Sequence, residues 1–126
     1  MNILEVHSTK KVKKGWGYEL HIINNDKYCG KILHFDIAAQ MSMHYHLNKY
    51  EIWYVLSGKF QLTGIYPETA ERYILLIGEG DVVYVDRGVV HSVYAINGGE
   101  IFEISTPDDI EDNYRVEKGD SQIKKL

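Results

Sequence analysis

The sequence predicts a single all-β domain whose short strands curl into a sandwich or barrel. Tyrosine and β-branched residues are plentiful, with ten tyrosines among 126 residues, and these residue types favour strands. Turn signals recur roughly every ten residues, and no apolar stripe with helical spacing extends over about twelve residues. Many short strands separated by such turns are typical of a sheet that curls around a central cavity.

Polar and glycine-containing turns divide the chain into its predicted elements. The predicted strands and extended segments are residues 16–23, 28–37, 41–46, 51–56, 59–66, 72–77, 82–85, 90–96 and 100–105. The strongest turn signals are Ser57-Gly58, residues 78–81 and Asn97-Gly98-Gly99. The first and last of these are interpreted as reversals of the chain, so the strands on either side are expected to form hairpins.

The length fits one domain, residues 1–126. Its core is expected at about residues 14–107, followed by an acidic tail at residues 108–126 that is weakly patterned. The segment at residues 118–126 is expected to fray at its end. The basic run at residues 10–14 is interpreted as a solvated arm.

Composition excludes several classes of function. An apolar fraction of 44% is that of an ordinary globular protein, and no segment approaches the ~20 apolar residues of a membrane span. A net charge of −4 argues against a nucleic-acid partner. The amino terminus lacks the features of a secretory signal, so a cytoplasmic protein is expected. Cys29 is the only cysteine, so a metal site would use imidazole, carboxylate and water.

Four residues form a candidate metal site. His44 and His46 lie two apart in an extended segment, which directs both imidazoles to one face. Glu51 and His91 each begin an apolar strand, where an ionisable side chain would point into the interior. Three imidazoles and one carboxylate suit divalent Mn, Fe, Co, Ni or Zn and leave positions for water or substrate. The remaining histidines are interpreted as ordinary core or surface residues: His7, His21 and His34.

The order and spacing of these residues resemble the two motifs of the cupin superfamily. The segment His44-x-His46-x4-Glu51-x6-Gly58 resembles the first motif, with Ala38 at the position of the leading glycine. The segment Gly80-x5-Asp86-x-Gly88-x2-His91 resembles the second motif, with Asp86 in place of the motif's proline and Ala95 in place of its asparagine. The resemblance implies a jelly-roll barrel, or double-stranded β-helix, that holds one divalent metal ion. It also implies a homodimer, since cupins commonly pair through strand exchange or sheet packing.

The two ends of the chain resemble a narrower group. The opening Trp16-Gly17-Tyr18-Glu19 and the closing segments Glu103-Ile104-Ser105-Thr106-Pro107 and Asp112-x2-Arg115-Val116-Glu117 are similar to cupins of the type II mannose-6-phosphate isomerase kind. This resemblance implies a sugar-phosphate or nucleotide-sugar ligand. It also makes Arg115 a candidate catalytic residue.

Other residues are candidates for contacting a small-molecule substrate. Lys31 shares a strand face with apolar residues, so it either extends to solvent from an edge or reaches the barrel mouth as an anion binder or acid/base. Four residues near the predicted ligands are candidates for substrate binding: Tyr45, Tyr50, Trp53 and Arg87.

These features favour a metal-dependent isomerase or epimerase of a sugar or sugar phosphate. In such an enzyme the metal would acidify a carbon acid and a nearby base would move the proton. Two alternatives stay open because one fold hosts many functions. The first is an iron-dependent dioxygenase or a lyase, and the second is a non-catalytic carbohydrate-binding module.

Overall fold

The computed structural model describes residues 3–124, and within them the chain forms nine strands and one short helix. The elements are β1 Lys10–Lys14, β2 Gly17–Asn24, β3 Cys29–Phe35, β4 Met43–Tyr45, β5 Glu51–Ile65, β6 Arg72–Gly78, β7 Val82–Val85, β8 His91–Ser105, β9 Tyr114–Glu117 and α1 Asp120–Ile123. The all-β prediction is confirmed. Among the described residues, no helix has the length and apolar character needed to span a membrane.

The strands pair antiparallel in one curled sheet that folds into two walls. The first wall has the order β1-β2-β3-β8-β5-β7, and the second has the order β6-β5-β8-β4-β9. The long strands β5 and β8 belong to both walls because each pairs with different neighbours along its two halves. This sharing curls the sheet around one interior.

The predicted reversals at Ser57-Gly58 and Asn97-Gly98-Gly99 are wrong. Both segments lie inside the continuous strands β5 and β8, which pair with each other along their whole length with register shifts on either side of Gly58. Gly58 and Gly99 face each other with φ of +88° and +146°. A Cβ at Gly58 would clash with the Gly98 carbonyl oxygen. Residues suited to turns therefore bend two strands at a bulge and carry them from one wall to the other.

The basic run and the end of the chain are also more ordered than expected. Residues 10–14 form β1, which pairs with β2, so they are not a free arm. Strand β9 pairs with β4, and the Asp120 carboxylate accepts a hydrogen bond from the Gln40 backbone N–H at 2.8 Å. Residues 118–124 are therefore ordered, while the end of the segment, for which fraying is expected, lies at residues 125–126 outside the described part. The domain boundaries stay a prediction.

Alternation along the strands separates the interior from the surface. In β5, the side chains of Trp53 and Val55 are buried on the face of Glu51. Trp16 stacks on Phe35 with ring centroids 4.5 Å apart, and Phe35 meets Phe60 edge to face at 5.3 Å. Burying each large apolar side chain contributes about 1.5–3 kcal/mol. This apolar cluster supports the polar cavity in the same interior.

Candidate metal centre and its cavity

Three histidines from two strands and a loop meet in the interior. Strand pairing places His44 of β4 directly opposite His91 of β8, and His46 follows His44 on the same face. The candidate ligand nitrogens of the three side chains all lie within 4.8 Å of one another. They are therefore close enough to hold a single ion.

The backbone orients each imidazole ring. The Nδ1 atom of each histidine lies 2.6–3.0 Å from a backbone carbonyl oxygen. The acceptors for His44, His46 and His91 are the carbonyl groups of Ser42, Asp112 and Val89, respectively. A carbonyl oxygen can only accept, so it selects the tautomer with the proton on Nδ1 and leaves the Nε2 lone pair free for a metal.

Glu51 completes the donor set. Its Oε2 atom lies 3.7 Å from His46 Nε2 and 3.6 Å from His91 Nε2, and the residue is only 3% exposed. Within the described residues, Glu51 Oε2 and His91 Nε2 are buried without any hydrogen-bond partner. Leaving such atoms unsatisfied is costly, and a cation between them would satisfy both. The donors present therefore fit a divalent metal ion.

The protonation states also suit a metal. Burial lowers the pKa of His44 to about 2 and that of His91 to about 4. Both imidazoles are consequently neutral near pH 7, which is the form that binds metal. Burial raises the pKa of Glu51, the Glu103 carboxylate raises it further, and the Lys49 ammonium opposes the rise. A bound cation would favour the ionised form of Glu51.

The cluster opens on a cavity of about 580 Å³. Among the other residues proposed from the sequence, Lys31, Trp53 and Arg115 line it. Arg115 reaches it from β9, where it pairs with His44 of β4. These three residues and the metal cluster therefore face one space.

Three proposed substrate-binding residues do not line this cavity. Tyr45 alternates with the histidines and so points away from them, and its ring stacks on Tyr114 with centroids 5.1 Å apart. Arg87 is exposed and donates from Nε to the Asn48 carbonyl oxygen at 2.9 Å. Tyr50 lies beneath the Arg87 guanidinium, 5.7 Å from it. Their role in substrate binding stays a prediction.

The structure adds a buried charged network that the sequence analysis missed. Lys49 is 5% exposed, and its Nζ lies 2.8 Å from Glu103 Oε2, 3.1 Å from Asp108 Oδ1 and 3.5 Å from Glu51 Oε1. Burial alone would lower the pKa of Lys49, but the carboxylates of Glu103, Glu51 and Asp108 together raise it above its ordinary value. Lys49 is therefore an ammonium ion beside the candidate metal centre.

Lys31 belongs to the same network. It is 5% exposed, so its extension to solvent is ruled out, and its Nζ lies 2.7 Å from Asp108 Oδ2 and 3.5 Å from Glu19 Oε1. Burial opposes its charge, but Glu19 and Glu103 raise its pKa above the ordinary value. These carboxylates favour the protonated form of Lys31, which suits the binding of an anion; its catalytic role stays a prediction.

His21 also faces the cavity, although the sequence analysis treated it as an ordinary histidine. Its Nε2 lies 2.7 Å from Glu19 Oε1. Alternation in β2 places both side chains inward, and His21 pairs with Lys31 across the sheet. The second ring nitrogen makes no hydrogen bond to the described residues, so it is free to face a ligand.

Only part of this network had a signal in the sequence. Glu103 lies on the same strand face as Ile101 and Ser105, and all three are buried. The alternation of side chains along a strand could therefore have identified Glu103 as an inward residue. Lys49 and Asp108 lie in loops between strands, where no residue periodicity indicates which way a side chain points. Asp112, whose carboxylate accepts hydrogen bonds from three successive backbone N–H groups at residues 47–49, likewise had no local signal.

Comparison with known proteins identifies the type of barrel. A family model described as Cupin matches residues 20–120. No curated protein matches the sequence.

The fold is similar to that of solved structures of oxalate decarboxylase from Bacillus subtilis. A structure at pH 4.6 gives a TM-score of 0.75 at 20% identity, covering 86% of this chain and 30% of that chain. A second, concerned with the Mn(II) centers of that enzyme, gives 0.74 at 19% identity with the same coverage. This likeness confirms the predicted barrel fold, and the chain spans about a third of the length of these proteins.

Proposed function

Because the chain belongs to the cupin family, we propose that it is a metal-dependent isomerase or epimerase of a sugar or sugar phosphate. The observation that carries the proposal is the unsatisfied pair of Glu51 Oε2 and His91 Nε2 beside a cavity with two buried lysines. A divalent ion held by His44, His46, Glu51 and His91 would satisfy both atoms. Manganese is the first candidate because oxalate decarboxylase, which shares the fold, has Mn(II) centers.

The cavity suits a small polyhydroxylated substrate. Its volume of about 580 Å³ lies within the ~300–1,000 Å³ range of small-molecule sites. Arg115 lines it, and a guanidinium binds a phosphate through two parallel hydrogen bonds. We therefore place the phosphate of a sugar phosphate against Arg115 and its carbonyl end toward the metal centre.

The bound metal would supply Lewis acidity, which acidifies the C–H bond next to a substrate carbonyl. Lys31 would stabilise negative charge on an adjacent oxygen. An ammonium group has three donors; Lys31 donates to Asp108 Oδ2 at 2.7 Å and lies 3.5 Å from Glu19 Oε1. It would have a donor left for a substrate oxygen and so would act as an electrostatic group and not as a proton acceptor.

The proton acceptor that fits best is His21. Its Nε2 lies 2.7 Å from the Glu19 carboxylate, which orients the ring and would hold the proton on Nε2, so that Nδ1 is the nitrogen available to accept a proton from a substrate. Both residues line the cavity. This assignment replaces Lys31 as the base of the proposed reaction.

Solvent exchange tests the proposal. The chain is loaded with Mn²⁺ and incubated in D₂O with a panel of aldose and ketose phosphates, and the ¹H NMR signal next to the carbonyl is followed. We expect that signal to disappear with the wild-type protein and to persist with His91→Ala. His34→Ala is the matched control because its imidazole bonds to Glu100 outside the cavity. Absence of exchange across the panel would overturn the isomerase proposal.

One observation favours a second candidate, a lyase that decarboxylates a small acid. The Asp108 carboxylate lies between the ammonium groups of Lys31 and Lys49, so this part of the cavity accommodates a carboxylate. Release of CO₂ from oxalate and related acids, without solvent exchange of sugars, would favour this function. Oxygen consumption by the iron-loaded protein would favour a dioxygenase. Saturable binding of a sugar without turnover would favour a binding module.

A further inference from the structure

The loop between β4 and β5 joins two of the candidate metal ligands. It spans residues 46–50, so His46 begins it and Glu51 follows directly after it. Only four residues separate the two ligands. A displacement of this short loop would therefore move at least one of them, and the geometry of the metal centre depends on how the loop is held.

A carboxylate from a distant part of the chain holds the middle of this loop. Asp112 lies in the connection between β8 and β9, more than 60 residues further along the chain. Its Oδ1 accepts a hydrogen bond from the Leu47 backbone N–H at 2.8 Å. Its Oδ2 accepts from the N–H groups of Asn48 and Lys49 at 3.0 and 3.1 Å. Bonds to an ionised acceptor are stronger than bonds between neutral groups, so Asp112 satisfies three successive donors and fixes their backbone.

The backbone of Asp112 holds the start of the loop as well. Its carbonyl oxygen lies 2.6 Å from His46 Nδ1. Asp112 thus contacts four successive residues, 46–49, one through its carbonyl group and three through its carboxylate. The residue is 6% exposed, so water competes little for these bonds. The orientation of the His46 ring and the position of its backbone consequently depend on the same residue.

We infer that Asp112 is a positioning residue that holds His46 in its metal-binding orientation. The carboxylate fixes residues 47–49, and this keeps the Asp112 carbonyl oxygen and His46 Nδ1 in register. Nε2 is then the nitrogen presented to the ion. Asp112 acts on the metal only through His46. The inference rests on the metal centre of the proposed function and is independent of the reaction.

Asp112→Asn tests this role with little change in volume. Asparagine keeps one acceptor oxygen but directs an NH₂ group toward the other backbone donors. We expect the dissociation constant of Mn²⁺, measured by calorimetry well below Tm, to rise roughly 10- to 100-fold, as for other residues that orient a metal ligand. Asp120→Asn is the matched control, because the Asp120 carboxylate also accepts a long-range backbone bond, from Gln40. It should lower Tm and leave the dissociation constant unchanged.

The ¹⁵N NMR spectrum of the metal-free protein gives a readout that lost stability alone would not move. His46 should be a single tautomer, protonated on Nδ1, in the wild type and in Asp120→Asn. Asp112→Asn should give a mixture of tautomers. An unchanged tautomer or an unchanged dissociation constant in Asp112→Asn would overturn the inference, as would equal loss of Mn²⁺ affinity in Asp120→Asn.

Amide hydrogen exchange of the wild type needs no variant and covers the case in which Asp112→Asn does not fold. Coupling between two sites is reciprocal, so Mn²⁺ should slow exchange at residues 47–49 more than at Gln40. Equal slowing at both places would contradict a specific role of Asp112. A wild type that binds no divalent ion would instead overturn the metal centre of the proposed function, and the His46 tautomer alone would then decide the role of Asp112.

Discussion

Replacing Lys49 by methionine should destabilise the protein without creating a cavity. Methionine has a similar volume, but it leaves the buried carboxylate of Glu103 and the half-buried carboxylate of Asp108 without the ammonium group that lies 2.8 and 3.1 Å from them. Removing one partner of a buried ion pair costs about 3–5 kcal/mol. That is a fifth or more of the ~5–15 kcal/mol by which domains are stable.

Urea denaturation of the metal-free protein measures this loss. With a slope of about 2 kcal/mol per molar, the midpoint should fall by roughly 2 M. Lys27→Met is the matched control, because Lys27 is exposed in the turn between β2 and β3 and its replacement should shift the midpoint little. Adding Glu103→Gln to Lys49→Met should restore part of the loss, since one buried charge is then removed.

The dependence on pH follows from the directions of the pKa shifts. The raised pKa of Lys49 contributes stability that is present below its ordinary value and is lost as the pH rises through the folded value. The lowered pKa values of Glu103 and Asp108 contribute stability that is present above their ordinary values and is lost as the pH falls. The difference between wild type and Lys49→Met should thus be largest between about pH 5 and pH 10. A loss below about 1 kcal/mol at pH 7 would refute this reasoning.

Three further predictions concern the metal, the bend and the cysteine. Mn²⁺ at about 100 times its dissociation constant should stabilise the wild type by about 2.7 kcal/mol, which raises Tm by roughly 10 °C. Differential scanning fluorimetry should show a smaller rise in Tm for Glu51→Gln. Gly58→Ala should lower Tm far more than Gly80→Ala: both have positive φ, but only at Gly58 would a Cβ meet another backbone. Cys29, 1% exposed, should react with a thiol reagent only as fast as the protein unfolds; rapid labelling of the folded protein would contradict its burial.

Prediction from sequence succeeded where the signal was periodic. The apolar strands that begin at Glu51 and His91 correctly indicated that both side chains point inward, because side chains in a strand alternate between two faces. It failed at Ser57-Gly58 because a glycine with positive φ serves a reversal and a bulge equally well. Only the pairing of β5 with β8 on both sides of the bend distinguishes the two. The basic run was misread for a similar reason, since its partner strand lies outside the local window.

The sequence by itself determined the fold class and the set of donors that can hold a metal. Both depend on local order: strand periodicity, and imidazoles two apart on one face. The tertiary structure alone decided that His21, Lys49 and Asp108 surround the same cavity. Their approach depends on how strands and connections from distant parts of the chain curl together. A charge in a loop has no direction until the fold supplies its neighbours, and those neighbours also decided that Lys31 is held as a cation.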